Sequence, residues 1–169
     1  SGDTAWVLVS TAMVMLMTPG VGLFYSGLVR SKTVVSMIGL SFLAFALASL
    51  QWVLFGYSLS FGTDMAGIIG GLNYLSLSGV GLGEAPLAAN LPHLLYVAFQ
   101  LVFAAVTLAI LTSAVAERIK ISSFIVLALL WTTLVYDPLA HWVWAGGWMA
   151  QMGALDYAGG TVVHISSGF

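Results

Sequence analysis

His164 is the residue of this sequence whose position most asks for a chemical explanation. It closes the run Gly159-Gly160-Thr161-Val162-Val163-His164, about one turn into an otherwise apolar helix-forming stretch. Ionisable groups are rare inside hydrocarbon because burying them is costly, so those that occur tend to serve a function. A neutral imidazole donates from one nitrogen and accepts at the other. That suits either a hydrogen-bonded core histidine or a pore-lining group that passes protons, and the functional reading is the stronger one. Asp156 lies shortly before the same helix. Its carboxylate is placed to accept hydrogen bonds from free backbone N–H groups and to complement the positive end of the helix. The capping role is the default, and attraction of a cation is a second one.

Aromatic residues crowd the same region. Trp142, Trp144 and Trp148 flank Gly146-Gly147, with Tyr136 and Tyr157 close in sequence. Trp and Tyr routinely form belts at membrane interfaces, and such a belt accounts for Trp142 and Trp148. Trp144 remains open between the belt and an aromatic cup for a small cation. Gln100 and Phe103 are three apart and share a helix face, where Phe103 alone reads as a packing residue. His93 and His141 fall at expected membrane interfaces and read as structural. There is no cysteine, which removes disulfides, thiolate chemistry and cysteine metal sites. No Asp or Glu is expected within a span, and neither Ser-x-x-Lys nor His-Glu-x-x-His occurs, so an intramembrane enzyme is not expected.

These residues need elements to position them, and composition says which. The hydrophobic set makes up 60% of the chain and charged residues 6%, with a mean hydropathy of +1.06. Soluble domains carry about a quarter charged residues, so the outer surface of this chain must face lipid. The formal net charge of −2 offers no basic surface for nucleic acid. Hydropathy gives spans over 5–29, 34–57, 94–116 and 121–136, with a fifth beginning near Gly159 and incomplete at Phe169. Span two is long enough to reach roughly 36 Å. Span four is short and should stand upright or borrow flanking residues. Pro19 should kink span one. Ser1-Gly2-Asp3 carries no positive charge run, so the first apolar stretch does not read as a signal peptide.

The 4 basic residues sit in two places, Arg30 with Lys32 and Arg118 with Lys120. Two spans separate the pairs, which puts both on one side, the cytoplasm by the positive-inside rule, and the N-terminus outside. Asp3, Asp64, Glu84, Asp137 and Asp156 fall on the other side, and Glu117 reads as a charged helix terminus beside Arg118. The Gly-rich stretch from Ser58 to Pro92 is expected as an outer loop lying on the membrane surface or against a neighbour. Gly67-x-x-x-Gly71 within it reads as flexible backbone rather than a helix-dimer motif. The fold expected is an all-α polytopic transmembrane helical bundle, one unit over 1–169. An odd number of spans suggests an inverted repeat, whose second copy would lie beyond Phe169.

Asp156-Tyr157-Ala158-Gly159-Gly160-Thr161-Val162-Val163-His164 resembles the ammonium transporter signature of the Amt/Rh family. Pro19-Gly20-Val21-Gly22-Leu23-Phe24-Tyr25-Ser26-Gly27-Leu28-Val29-Arg30-Ser31-Lys32 is similar to its first-helix motif, with Ser26 where glycine is commoner. Ala116-Glu117-Arg118 and Tyr136-Asp137-Pro138-Leu139-Ala140-His141-Trp142-Val143-Trp144 resemble further blocks in the same order. The resemblance implies the first five-helix half of an inverted-repeat transporter, in a homotrimer of the cell membrane whose subunits each have a narrow pore. Trp144 and Phe103 would form the outer ammonium-recruitment site, with Phe103 the outer gate. His164 would be the first of a pair of pore histidines, Asp156 the supporting acid and Gln100 a neighbour of the gate. The partner histidine, second gate phenylalanine and recruitment serine would belong to the other half. The resemblance also implies ammonium or ammonia as cargo, methylammonium as its analogue, a cytoplasmic regulatory partner and no cofactor. A cation or water channel, with His164 as a filter ligand, and a non-transporting membrane subunit are the rival readings.

Overall fold

The computed structural model describes residues 1–169, and four of its helical stretches are long and apolar enough to cross a membrane. Hydrocarbon offers backbone groups no water, so a spanning segment must satisfy its N–H and C=O groups internally, and helix follows. Helix α1 is Gly2–Ser26 and α2 is Val34–Gln51. Without a break α2 passes through a π-helical turn, Trp52–Gly56, into α3, Tyr57–Phe61. Helix α4 is His93–Val115 and α5 is Ile121–Trp131. A second π turn, Thr132–Tyr136, carries α5 into α6, Asp137–Trp144. After α7, Trp148–Gln151, a third π turn over Gly160–Ile165 leads into α8, Ser166–Gly168.

Three expectations about the elements change. Span four does not stop at Tyr136, since the helix continues to Trp144. Pro138 has no N–H and its ring opposes the carbonyl four residues back, which reads as a stop. The π turn relieves this by drawing the Asp137 N–H to the Thr132 carbonyl, five residues back. Span two likewise continues to Phe61, so the loop begins at Gly62. Helix α1 lies a few residues nearer the N-terminus than 5–29 and remains one helix across Pro19. A further correction concerns Asp137, which is neither an outer-loop acid nor outside a span. It is fully buried in the helical rod.

The segment between α3 and α4 is not featureless. Strands β1 (Asp64–Met65) and β2 (Ile69–Gly70) form one small antiparallel hairpin, and β3 (Glu84–Ala85) and β4 (Ala88–Pro92) form another. Gly67 turns the first hairpin with φ +74°, so glycine there serves a turn. Tyr74, Leu77 and Val80 from the same segment pack onto the bundle's own core.

The core has two parts. Ala44, Ala48, Ala105, Leu108, Ala109, Phe124 and Ala128 join α2, α4 and α5 toward the basic end. Small side chains let helices approach closely, which supplies the attraction that lipid cannot. Toward the hairpin end the packing is aromatic, built on Trp52, Tyr57, Phe61 and Tyr136. The Trp52 ring meets Tyr57, Phe61 and Tyr136 edge-on at 5.8–6.2 Å between centroids, a favoured geometry. At the basic end Glu117 is more than a charged terminus. It accepts hydrogen bonds from the Thr33 hydroxyl and from Arg30 Nε, the latter at 3.0 Å. The Thr33 and Arg30 contacts hold its carboxyl below the usual carboxylate range against the opposing effect of desolvation, and they tie the α1–α2 and α4–α5 connections together.

Candidate functional site

At the hairpin end a cleft of about 240 Å³ opens between α4, the end of α6 and the strand of chain before the last helix. Gln100 and Phe103 reach it from α4, Trp144 from the end of α6, and Asp156 to Gly159 from the loop. Four of the five residues singled out in the sequence therefore meet in one place. Tyr96 and Phe99 complete the α4 wall. Both were missed, although Tyr96, Phe99, Gln100 and Phe103 recur at the three- and four-residue spacing of one helix face.

The aromatic walls are ordered. Phe103 meets Trp144 at 6.3 Å with an interplanar angle of 68° and meets Phe99 at 5.0 Å and 83°. Trp144 donates its indole N–H to the Asp156 carbonyl at 3.0 Å, which fixes the ring and satisfies its polar edge. Gln100 is buried, and its Oε1 has no hydrogen-bond partner in the chain. A buried acceptor without a partner is costly, and this one lies among the cleft residues.

Asp156 caps the last helix. Its Oδ1 accepts from the Gly160 N–H at 2.9 Å, and its Oδ2 accepts from Thr161 and Val162 at 2.8 and 3.0 Å. Desolvation pushes this carboxyl up, but the backbone donors outweigh it and leave it below the usual range. Gly159 makes the turn possible. It has φ +78°, and a Cβ there would come within 2.9 Å of Val163 Cγ2. Its carbonyl accepts from both Val163 and His164 N–H, at 2.9 and 3.0 Å, which starts the π turn.

That helix buries Val162 and Val163 and leaves the His164 imidazole exposed. His164 does not line the aromatic cleft. It follows the capped turn that forms one side of it, so cleft and histidine share a supporting element. A larger recess of about 760 Å³ lies at the basic end, lined by residues including Thr33, Glu117 and Lys120. It contains no aromatic face.

Outside the cleft the bundle buries a polar network that the sequence pattern did not reveal. Asp137 Oδ2 accepts from Gln51 Nε2 at 2.5 Å and Oδ1 accepts from Ser60 Oγ at 3.3 Å. Gln51 also donates to Thr133 Oγ1 at 3.3 Å. A buried polar side chain needs such partners. Gln51, a lone amide in an apolar run, is the signal that could have revealed it. His141 is fully buried rather than interfacial. It lies one turn after Asp137 and bonds to the Ser60 carbonyl and to Asp64. Trp142 is also more than a belt residue, because its indole N–H donates to the Ile68 carbonyl at 2.6 Å.

The sequence profile of the Ammonium Transporter Family matches residues 5–169. The ammonium transporter Amt1 of Archaeoglobus fulgidus is 61% identical over 168 residues, which cover 99% of this chain and 41% of the relative. An ammonium transporter of Bacillus subtilis is 50% identical, with 99% and 41% covered. The crystal structure of Saccharomyces cerevisiae Mep2 superposes with a TM-score of 0.91 at 41% identity, over 98% of this chain and 37% of that one. The chain thus spans about two fifths of the length of the relatives it matches.

Proposed function

This chain belongs to the Ammonium Transporter Family, and from that premise we propose that it moves ammonium or ammonia across a membrane, with the cleft of Trp144, Phe103 and Gln100 capturing the cation. Its apolar helices and its relatives make it a multi-pass membrane protein. The observation that carries the proposal is the convergence of Trp144, Phe103, Gln100 and the Asp156–Gly159 turn on one small cleft. An ammonium ion is costly to bring into a dry pore, whereas neutral ammonia is not. Aromatic faces attract the cation, and the unpartnered Gln100 Oε1 offers an acceptor to its N–H groups. Loss of a proton at the mouth lets the neutral species continue, with Phe103 as the gate. His164 handles that proton beyond the capped turn, in concert with a second histidine from the remaining part of the family architecture.

In the same reading the chain forms the first half of an inverted repeat and assembles as a homotrimer in the cell membrane. The hairpins and N-terminus face outward, and the basic end is available to a cytoplasmic regulatory protein. No step in this mechanism requires a cofactor, a metal or covalent chemistry.

Two measurements test these statements. Because the chain has no cysteine, single cysteines report sidedness cleanly. Cysteine at Ser31 or Ser122 should react only with reagent supplied from the cytoplasm, and cysteine at Glu84 only from outside. Outside labelling at Ser31 would overturn the orientation. For the cleft, Trp144→Leu in the full-length protein carrying this sequence should weaken methylammonium affinity by about 0.5–2 kcal/mol, roughly 2- to 30-fold. Wild-type saturation kinetics in that variant would reduce Trp144 to an interfacial aromatic.

A further inference from the structure

Trp144 is held from both sides. On one side its indole bonds to the Asp156 carbonyl. On the other, the turn that carries it is seated under the β1–β2 hairpin, and the bond between them passes through a buried histidine. His141 Nδ1 lies 2.9 Å from the Ser60 carbonyl oxygen and Nε2 lies 2.9 Å from Asp64 Oδ1. A carbonyl only accepts, so the Nδ1 position carries hydrogen and donates. Asp64 is held below the usual carboxylate range, first by its hydrogen bond with His141 and then, against some desolvation, by the Gly67 N–H at 2.9 Å. His141 therefore bridges the Ser60 carbonyl and the Asp64 carboxylate from the buried side of the hairpin.

Around that bridge the backbone repeats the attachment. The Trp148 N–H donates to the Gly67 carbonyl at 3.0 Å and the Gly147 N–H to the His141 carbonyl at 3.1 Å. Gly147 must be glycine for this fit, since a Cβ there would lie 2.6 Å from Trp142 Cα. The hairpin, His141 and the turn through Gly147 therefore form one unit, and Trp144 sits on it.

Resting on the reading of Trp144 as part of the cation mouth, we propose that His141 and Asp64 are positioning residues for that mouth, a latch through which the β1–β2 hairpin sets the Trp144 ring against Phe103. The latch touches no cargo. It acts on capture, which depends on ring placement, and not on passage through the pore beyond. Its loss therefore raises KM for ammonium and leaves the maximal rate unchanged, a split that a general loss of fold would not produce.

The test uses the full-length protein in proteoliposomes with methylammonium as probe. Asp64 is half-exposed on a hairpin, so Asp64→Ala should fold, which protects the test if the buried His141→Ala does not. Asp64→Ala is expected to raise KM roughly 3- to 10-fold, within what loss of a cation–π contact gives, at unchanged maximal rate. Asp64→Asn keeps a hydrogen-bonding partner for the ring and should restore KM to near wild type. Amide exchange of residues 64–70 should quicken in the Ala variant only. If exchange quickens while KM stays at the wild-type value, the hairpin is latched but does not position the mouth, and the proposal is wrong. A lowered maximal rate with unchanged KM would overturn it equally. Trp144→Leu is measured alongside. Unchanged KM in that variant removes the mouth reading itself and the latch with it, whereas raised KM in Trp144→Leu with unchanged KM in Asp64→Ala removes the latch alone.

Discussion

Asp156→Ala should cost the protein both folded yield and transport. Three backbone N–H groups, from Gly160, Thr161 and Val162, bond to this one carboxylate. Removing a helix cap costs about 1–2 kcal/mol, which alone changes the ratio of formed to unformed helix start by roughly 5- to 30-fold. The consequence reaches both sides of the site, because the capped turn carries His164 and the Asp156 carbonyl anchors the Trp144 indole. Asn is a good cap in general, but here it fits only in part. It has one acceptor oxygen, and the carboxylate uses both, so Asp156→Asn should fall between wild type and Ala in yield. The pH dependence has a definite sign. The folded carboxyl lies below its usual range, so its stabilising contribution is fully present above the unfolded value of about 3.9 and is lost as pH falls through the lower folded value. Folded yield and transport measured for the three side chains settle this. An Asn variant with wild-type yield and no transport would show that charge, and not capping, is what Asp156 supplies.

The second large effect is expected at His164. If its imidazole carries the proton separated from ammonium, His164→Ala should reduce proton-coupled flux on the order of 100-fold, the scale of a positioned acid–base group. His164→Asn keeps a polar side chain that donates and accepts but cannot exchange a proton at neutral pH. Asn should therefore share the defect in coupled current even where it preserves permeation. Simultaneous recording of ammonium-driven current and methylammonium uptake separates these. Wild-type current in both variants would make His164 a packing residue.

Much of the architecture was legible because hydrocarbon imposes a simple rule. Long apolar runs without charge must be helices, and the four long helices follow those runs. What was not legible came from places where one local signal hid another. Asp137-Pro138 reads as a helix stop, because proline lacks a donor and an acid is unwelcome in lipid. The π turn over Thr132–Tyr136 accommodates the proline, and Gln51 and Ser60 accommodate the acid. Neither partner is near Asp137 in sequence, and no periodicity points to them. The same holds for His141 and Asp64, which are 77 residues apart. The cleft was partly legible. Gln100 and Phe103 follow from helical spacing, whereas Trp144 stayed open between belt and cup on its residue type alone and was singled out by the family resemblance; the indole bond to Asp156 and the approach to Phe103 give it a place in the cleft.

The proposed transport route has two parts, a cleft that selects the cation and a pore that admits only the neutral species. It is tested most directly by flux measurements on the full-length protein carrying this sequence, reconstituted in liposomes and given ammonium, methylammonium, potassium and an osmotic step in turn. That route requires saturable ammonium and methylammonium uptake, each inhibiting the other, with no potassium flux and no water flow beyond that of empty liposomes. Potassium conductance or fast water flow would contradict it and make the protein a channel of another kind.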